Sequence, residues 1–136
     1  MVDNPEPGHA ELPAGLKILV ADDEERLRFV LTLMLEELGA EVVAVDSCEK
    51  ALELYGAPGE RFDVAVLDLR MRGMGGAAAC RAMLARDPDA RVVLSSGLRP
   101  TDDLLAEFGG HRCAFIEKPF DIEQLAQVLG GIVSRR

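Results

Sequence analysis

Short apolar runs that end abruptly in charged or polar residues recur along the chain, and each predicts a buried β-strand. There are five such runs, at residues 17–21, 41–45, 64–67, 91–95 and 113–116. The segments between them predict helices. Strands that alternate strictly with helices are typical of an α/β domain. We therefore predict one five-stranded, doubly wound parallel sheet with helices on both faces.

The first helix is predicted over residues 24–38, where apolar side chains recur at i, i+3 and i+4 and Gly39 ends the pattern. The predicted core stripe consists of Leu27, Val30, Leu31, Met34 and Leu38. Phe29 and Leu33 form a second apolar line beside it. This line either widens the buried face or provides a surface for a partner, and the pattern favours neither interpretation.

Caps and turns mark the remaining helices. Ser47 is placed to cap the second helix, and a glycine-rich turn leads into the third over residues 76–86. The fourth is predicted over residues 101–108. The last follows Asp121, with Gln124 three residues later in a capping-box arrangement.

Length and composition indicate a single globular domain. The chain has 136 residues, 49% of them apolar and 29% charged, which fits one domain with a sizeable core. Prolines, glycines and acids dominate the beginning, so we expect residues 1–15 to form a flexible tail, 16–133 the folded domain and 134–136 the C-terminal end. No apolar stretch is long enough for a membrane span and no secretory leader is evident, so we expect a cytoplasmic protein without membrane contact.

Charge and cysteine content exclude two further classes of function. A formal net charge of −9, with Arg135-Arg136 as the one basic cluster, argues against direct binding to nucleic acid. The three cysteines, Cys48, Cys80 and Cys113, are odd in number, widely spaced and without a CxxC pair. A zinc site or a disulfide framework is therefore disfavoured, and we interpret all three as buried small apolar residues.

Acidic residues follow two of the predicted strands. Asp22 and Asp23 come directly after the first strand, and Asp68 comes directly after the third. The carboxyl ends of parallel strands share one edge of the sheet, so the three carboxylates are expected to meet there. Such a group of hard oxygen ligands suits Mg²⁺. The alternative for the adjacent pair is that it merely caps the following helix.

Phosphoryl transfer is the chemistry that this edge favours. Asp68, after four apolar residues, has no evident structural task and would act as a nucleophile. Lys118 would neutralise a phosphoryl group, and the Ser96 hydroxyl would donate a hydrogen bond to it. Taken singly, Lys118 is equally a solvated lysine and Ser96 a strand-end hydroxyl. Their joint placement at strand ends favours the functional interpretation.

These motifs closely resemble the receiver domain of bacterial two-component response regulators, which has a flavodoxin-like fold. The matching segments are Val20-Ala21-Asp22-Asp23-Glu24-Glu25, Asp68-Leu69-Arg70-Met71 with Gly76, Ser96-Gly97, and Lys118-Pro119-Phe120. They occur in the family order, and the resemblance covers about residues 16–133.

The resemblance implies a phosphorylation switch rather than an enzyme. A histidine kinase or a histidine phosphotransfer protein would phosphorylate Asp68, while Ser96 and Lys118 would hold the phosphoryl group. The Mg²⁺ ligands would be Asp22, Asp23, Asp68 and the backbone carbonyl of Arg70.

The resemblance also implies a conformational response. Ser96 would move inward after phosphorylation and Phe115 would turn with it, which would remodel the face formed by the fourth helix, fifth strand and fifth helix. That face would bind a downstream target or a second copy. Pro119 is expected to follow a cis peptide bond that directs Lys118 inward.

Three positions carry expectations particular to this chain. Receivers usually have proline four residues after the phosphoacceptor, and here Arg72 stands there, which predicts a less rigid, more positive loop. Arg70 and Leu98 occupy positions that tune the lifetime of the aspartyl phosphate in the family. A bulky Leu98 that shields the acyl phosphate from water predicts slow hydrolysis. If the first helix docks on the kinase, Phe29 and Leu33 would belong to that contact.

Several alternatives remain open. The chain is expected to be a stand-alone receiver, or else a receiver from a hybrid histidine kinase or a longer regulator. Haloacid-dehalogenase-type phosphatases also use a strand-end aspartate, Mg²⁺, a hydroxyl and a lysine, but they place an acid two residues after the nucleophile, where this chain has Arg70. A receiver that signals by contact alone would not need the site residues, all of which are present. Neither His9 nor His111 suits a phosphodonor, because neither lies on a long amphipathic helix.

Overall fold

Five parallel strands form one sheet in the computed structural model, which describes residues 12–134. The strand order across the sheet is β2-β1-β3-β4-β5. The strands are β1 Lys17–Ala21, β2 Glu41–Val45, β3 Val64–Asp68, β4 Val92–Ser96 and β5 Cys113–Glu117. The predicted parallel α/β sheet is therefore confirmed. Three of its strands, β3, β4 and β5, extend one residue further than predicted, so Asp68 and Ser96 are the last residues of their strands.

Five helices connect the strands. They are α1 Glu25–Glu37, α2 Cys48–Tyr55, α3 Gly76–Arg86, α4 Asp102–Phe108 and α5 Ile122–Val133. The predicted caps are in place. Ser47 Oγ accepts a hydrogen bond from Lys50 N–H at 3.1 Å, and Asp121 and Gln124 exchange two bonds of 2.8 Å. These caps satisfy amide groups that have no partner inside a helix.

The helices cover both faces of the sheet, because successive side chains of each strand point to opposite sides. On one face, Ile18 and Val20 of β1 pack with buried residues of α1 and α5. On the other, Leu19 and Ala21 pack with buried residues of α2, α3 and α4. β1 and β3 are buried almost throughout, so they hold the carboxyl edge of the sheet rigidly.

The core face of α1 differs from the predicted stripe. Leu31 and Leu38 are buried as expected, but Leu27 is 39% exposed and Val30 is 45% exposed, while Leu35, which lay outside the predicted stripe, is fully buried. The first turns of α1 face a cleft beside the β5–α5 loop, not the sheet. The periodicity identified the apolar side of the helix, but not which part of that side the sheet covers.

The packed part of the chain begins earlier than the predicted domain. Leu12, inside the expected flexible tail, is buried and belongs to the same core cluster as Leu16. The rest of that tail, including His9, and the C-terminal Arg135-Arg136 lie outside the described residues. Among residues 12–134 no helix combines the length and the apolar character that crossing a membrane requires.

All three cysteines are buried and none forms a disulfide, as their spacing predicts. Cys80 Sγ lies 3.8 Å from Cys113 Sγ across the α3–β5 contact. Cys48 Sγ contacts Met71 Sδ at 3.4 Å, between α2 and the loop that follows β3. They serve as small core residues.

Candidate functional site

The register of the sheet brings the candidate residues to one edge. Ala21 pairs with Leu67 across β1 and β3, so Asp22 and Asp68 emerge side by side. Ser96 pairs with Glu117 across β4 and β5, so Ser96 and Lys118 emerge next to each other. A backbone hydrogen bond of 2.8 Å from Lys118 N–H to the Ser96 carbonyl oxygen locks that second pair.

Asp22, Asp23 and Asp68 form a compact carboxylate cluster. One oxygen from each lies within 4.8 Å of the others. Asp22 is 3% exposed and Asp68 is 6% exposed, while Asp23 is partly buried. The helix-capping interpretation is wrong for this residue, because Glu24 is itself the N-cap of α1. Asp22 Oδ1 accepts a hydrogen bond from Glu24 N–H at 2.9 Å, and this bond closes the turn before the helix. It does not account for the convergence of three carboxylates.

Lys118 supplies the positive charge of the site. Its Nζ donates to Asp68 Oδ2 at 3.0 Å and to Asp22 Oδ2 at 3.3 Å. Burial alone lowers the pKa of Lys118, but the hydrogen bond to Asp68 and the charges of Asp22 and Asp68 outweigh it and leave the pKa raised. The side chain is therefore a permanent cation at neutral pH. The Lys118–Pro119 peptide bond is cis, the isomer expected from the resemblance.

Asp68 is held from several sides at the end of β3. Its Oδ1 accepts a hydrogen bond from Arg70 N–H at 3.1 Å and its Oδ2 accepts that of Lys118. A Cβ atom at Gly76 would lie only 2.5 Å from the Asp68 carbonyl oxygen, so the start of α3 approaches this backbone more closely than any other residue permits. The carboxylate is thus presented by a rigid strand end.

Ser96 is buried at the end of β4. Its Oγ accepts a hydrogen bond from Leu98 N–H at 3.1 Å, which leaves the hydroxyl proton available for another acceptor. Leu98 itself is 54% exposed. Phe115 of β5 is half-buried and packs against the cluster that contains Leu94 and Phe108.

Other predicted residues lie away from the carboxylates or point to solvent. Phe29, 63% exposed, lines a cleft of about 450 Å³ between α1 and β2. Leu33 is also exposed, so neither side chain widens the buried face. The Arg70 side chain is exposed beside the site.

An apolar cleft of about 420 Å³ adjoins the site. Leu27, Val30 and Met34 of α1 form one side, and Pro119 and Phe120 form the other. Asp22 and Lys118 lie at its margin. The partly exposed side of α1 therefore continues directly into the carboxylate edge.

Three contacts at the site were not predicted from the sequence. Arg72 N–H donates to Asp23 Oδ2 at 3.1 Å, and Met74 N–H donates to Glu49 Oε2 at the same distance. The guanidinium of Arg28 donates to the Asp22 carbonyl oxygen at 2.8 Å. The glycine-rich sequence predicts a turn here, and Gly73 has φ of +75°. Nothing in the sequence indicates which side chains accept hydrogen bonds from the amides of this turn. The β3–α3 loop is consequently tied to two other parts of the chain. The lower rigidity predicted from Arg72 stays a prediction.

The donor set fits a small divalent cation. Mg²⁺ prefers oxygen ligands, uses one or two carboxylates and retains several waters, and the cluster offers three carboxylates at a partly open edge. Within residues 12–134, Lys118 is the one cation that pairs with these carboxylates, so a single positive charge faces three acids. A second cation would relieve this repulsion.

Comparison with known proteins identifies the family. The model of the response regulator receiver domain matches residues 18–130. The chain is 27% identical over 130 residues to the two-component response regulator ARR14 of Arabidopsis thaliana, covering 96% of this chain and 34% of that protein. It is 31% identical over 134 residues to the sensory/regulatory protein RpfC of Xanthomonas campestris, covering 95% of this chain and 18% of that protein. It thus spans about a third or less of these relatives.

A solved structure agrees with this match. The crystal structure of a response regulator receiver domain protein from Clostridium thermocellum superimposes with a TM-score of 0.79 at 26% identity, covering 88% of this chain and 95% of that one. The matched residues include the whole carboxylate edge up to Lys118 and Pro119. This chain therefore belongs to the response regulator receiver domain family.

Proposed function

We propose that this domain accepts a phosphoryl group on Asp68 from the phosphohistidine of a histidine kinase or a phosphotransfer protein. The observation that carries the proposal is the contact of Lys118 with Asp68 and Asp22 inside a cluster of three strand-end carboxylates. This arrangement combines a nucleophile, a fixed cation and oxygen ligands for a metal within one edge of the sheet. Phosphoryl transfer needs little else, because its catalysis is mostly positioning and charge neutralisation.

An oxygen of Asp68 attacks the phosphorus, the P–N bond to the donor imidazole breaks, and the nitrogen keeps the electron pair. Arg70 N–H holds Asp68 Oδ1, so the carboxylate enters the reaction already oriented. Lys118 exchanges its contact with Asp68 Oδ2 for one with the transferred phosphoryl group. The Ser96 hydroxyl donates to a second phosphoryl oxygen.

Mg²⁺ would be held by Asp22, Asp23, Asp68 and the backbone carbonyl of Arg70. When bound, it neutralises charge on the carboxylates and the incoming phosphoryl oxygens. The part played by the chain is to keep the three acids together in the absence of the ion. Lys118 does so for Asp22 and Asp68, and Arg72 N–H orients Asp23.

The output of the switch is a change in the α4-β5-α5 face. Ser96 lies at the end of β4 and Phe115 lies in β5, so movement of the hydroxyl toward the phosphoryl group alters the packing on which Phe115 rests. Leu105 of α4 is exposed on this side of the domain and is available to a downstream protein or a second copy.

The phosphodonor protein would dock on α1. Phe29 and Leu33 are large apolar residues that this helix exposes to solvent, and the apolar cleft of Leu27 and Val30 leads from the helix to Asp22. An exposed apolar patch next to a reactive carboxylate suits a partner that must bring its own residue to that carboxylate. We place this exchange in the cytoplasm, where a kinase supplies the phosphoryl group.

The domain works either alone or as one part of a longer regulator or kinase. Its relatives include proteins several times its length, so both arrangements are compatible with the family. A haloacid-dehalogenase-type phosphatase is disfavoured because Arg70 occupies the place of the required general acid and Asp68 ends the third strand in sequence, not the first. The domain is a signalling module, which assists its own phosphorylation and dephosphorylation.

The test is intact mass spectrometry after incubation with phosphoramidate, with and without Mg²⁺. Wild type should gain one phosphoryl group only with the metal, and Asp68→Asn should gain none. Asp103→Asn, which alters an exposed carboxylate in α4, should behave as wild type. Loss of phosphorylation in both Asp68→Asn and Asp103→Asn, or phosphorylation of wild type without Mg²⁺, would contradict the proposal.

A further inference from the structure

Carboxylates from two other elements hold the loop between β3 and α3. Asp23, in the loop after β1, accepts the Arg72 N–H, and Glu49, in the first turn of α2, accepts the Met74 N–H, each at 3.1 Å. The two bonded amides lie on either side of Gly73. The loop is therefore fixed by one residue of the carboxylate cluster and by one residue outside it.

The geometry around Gly73 shows how closely Glu49 fits this loop. Gly73 has φ of +75°, and a Cβ atom there would lie 2.8 Å from Glu49 Oε2. The adjacent Cys48 touches Met71 at 3.4 Å. The beginning of α2 thus rests directly on the loop, and the carboxylate of Glu49 covers bare backbone.

We propose that Glu49 is a positioning residue for the metal site. By holding Met74 N–H it keeps the loop in the conformation that directs Arg72 N–H at Asp23 Oδ2, and so sets the orientation of the Asp23 carboxylate. Hydrogen bonds from outside the ligand shell commonly orient metal ligands in this way. The inference rests on the proposed function, because it takes Asp23 as a Mg²⁺ ligand.

Two variants at Glu49 separate positioning from simple charge. A carboxylate near a cation site also attracts the cation at any orientation, so loss of charge is the competing explanation for any weaker binding. Glu49→Gln removes the charge and keeps an oxygen acceptor for Met74 N–H, whereas Glu49→Ala removes both. Glu53→Ala, one turn further along α2, removes a charge without touching the loop.

Two variants at Arg72 test the other end of the loop. Arg72→Pro removes the N–H that Asp23 accepts, because proline has no amide hydrogen. Arg72→Ala removes the guanidinium and keeps the amide. A positioning role predicts that only the proline variant weakens the metal site.

The experiment is calorimetric titration of the metal-free protein with Mg²⁺, together with hydrogen exchange at the Met74 amide. Glu49→Ala and Arg72→Pro should weaken Mg²⁺ binding by about 10-fold, the lower end of what loss of an outer-shell partner costs. Glu49→Gln, Glu53→Ala and Arg72→Ala should stay within about 2-fold of wild type on the same scale. The Met74 amide should exchange faster in Glu49→Ala and not in Glu49→Gln.

Equal losses for Glu49→Gln and Glu49→Ala would overturn the positioning role in favour of bulk charge. Unchanged binding in Glu49→Ala and Arg72→Pro, with wild type still binding Mg²⁺ and accepting phosphate, would reject the inference and leave the proposed function intact. A wild type that binds no Mg²⁺ would reject both. Thermal unfolding of each variant checks that it is folded, and Arg72→Pro provides a second route if Glu49→Ala is not.

Discussion

Lys118 Nζ donates a hydrogen bond to Asp68 Oδ2 at 3.0 Å, although 50 positions separate the two residues in sequence. The contact spans the carboxyl edge from β5 across β4 to β3. It gives the buried Asp68 a counter-charge. The same lysine reaches Asp22, so one cation serves two buried acids.

Replacing Lys118 by alanine should destabilise the metal-free domain and abolish most phosphorylation of Asp68. The variant leaves two buried carboxylates without their cation, which should lower the free energy of unfolding by about 1–3 kcal/mol. Added Mg²⁺ should raise the melting temperature of Lys118→Ala more than that of wild type, because no ammonium competes for the carboxylates. Differential scanning fluorimetry with and without Mg²⁺ measures the loss of stability and its response to the metal. Intact mass after incubation with phosphoramidate measures the loss of phosphorylation.

Lys50→Ala provides the matched control, since Lys50 pairs with Asp46 at 3.0 Å but on the surface. Lys50→Ala should lower the free energy of unfolding by about 0–1 kcal/mol, and this change should not depend on Mg²⁺. A Mg²⁺ response of Lys118→Ala no larger than that of wild type would refute the competition between lysine and metal.

Replacing Gly76 by alanine should unfold or distort the site, because the added methyl group would lie 2.5 Å from the Asp68 carbonyl oxygen. Gly131 in α5 has open space around the same position, and alanine there should stabilise the helix by up to about 1 kcal/mol. In chemical denaturation, the midpoint should therefore fall for Gly76→Ala and rise for Gly131→Ala. A stable Gly76→Ala variant with wild-type phosphorylation would contradict the close approach.

The Cys48 thiol should be unreactive in the folded protein near neutral pH. Burial, with nearby Glu49, Asp68 and Asp23, raises its pKa from the ordinary value of 9.0 to about 11. Iodoacetamide at pH 8 should modify Cys48 slowly until denaturant is added, as measured by peptide mass spectrometry. Rapid modification of the native protein would show that the first turn of α2 opens.

The same shift predicts alkaline destabilisation. Because the folded protein holds the Cys48 proton more tightly than the unfolded chain does, this contribution to stability is complete below pH 9.0 and is lost as the pH rises to about 11. The free energy of unfolding should fall across that range, and less steeply in Cys48→Ala. If the free energy of unfolding falls equally steeply with pH in wild type and Cys48→Ala, Cys48 makes no contribution.

Replacing Phe29 by serine should slow phosphotransfer from a cognate kinase or phosphotransfer protein and leave phosphorylation by phosphoramidate unchanged. Phe29 is 63% exposed, so its loss should cost the fold little. Leu105→Ser, on the exposed side of α4, is the control and should leave both reactions unchanged. Equal slowing of both donors by Phe29→Ser would place the effect in the site and not in docking.

The aspartyl phosphate should be long-lived compared with that of fast chemotaxis-type receivers. Leu98 N–H contacts Ser96 Oγ, which places the leucine next to the predicted phosphoryl position. If its bulk limits the approach of water, Leu98→Ala should shorten the lifetime several-fold. The rate of phosphate release after removal of the donor measures this lifetime in wild type, in Leu98→Ala and in Arg70→Ala. A short wild-type lifetime would reject the prediction.

The strand and helix order and the placement of most candidate site residues can be predicted from the amino-acid sequence. Apolar runs at regular spacing locate the strands, and the caps at Ser47 and Asp121 locate helix starts, because these signals depend only on neighbours along the chain. Parallel topology then requires Asp22, Asp68, Ser96 and Lys118 to share one edge, so their proximity followed from strand ends alone.

Tertiary packing, by contrast, sets which apolar residues of α1 face the core and how the β3–α3 loop is held. Leu27 and Leu38 both belong to the predicted stripe, yet Leu27 borders an open cleft and Leu38 is buried, because the sheet covers only part of the helix. The bonds from Arg72 to Asp23 and from Met74 to Glu49 join backbone amides to distant carboxylates. Every residue but proline carries such an amide, so its partner depends on the path of the folded chain and leaves no pattern in the sequence.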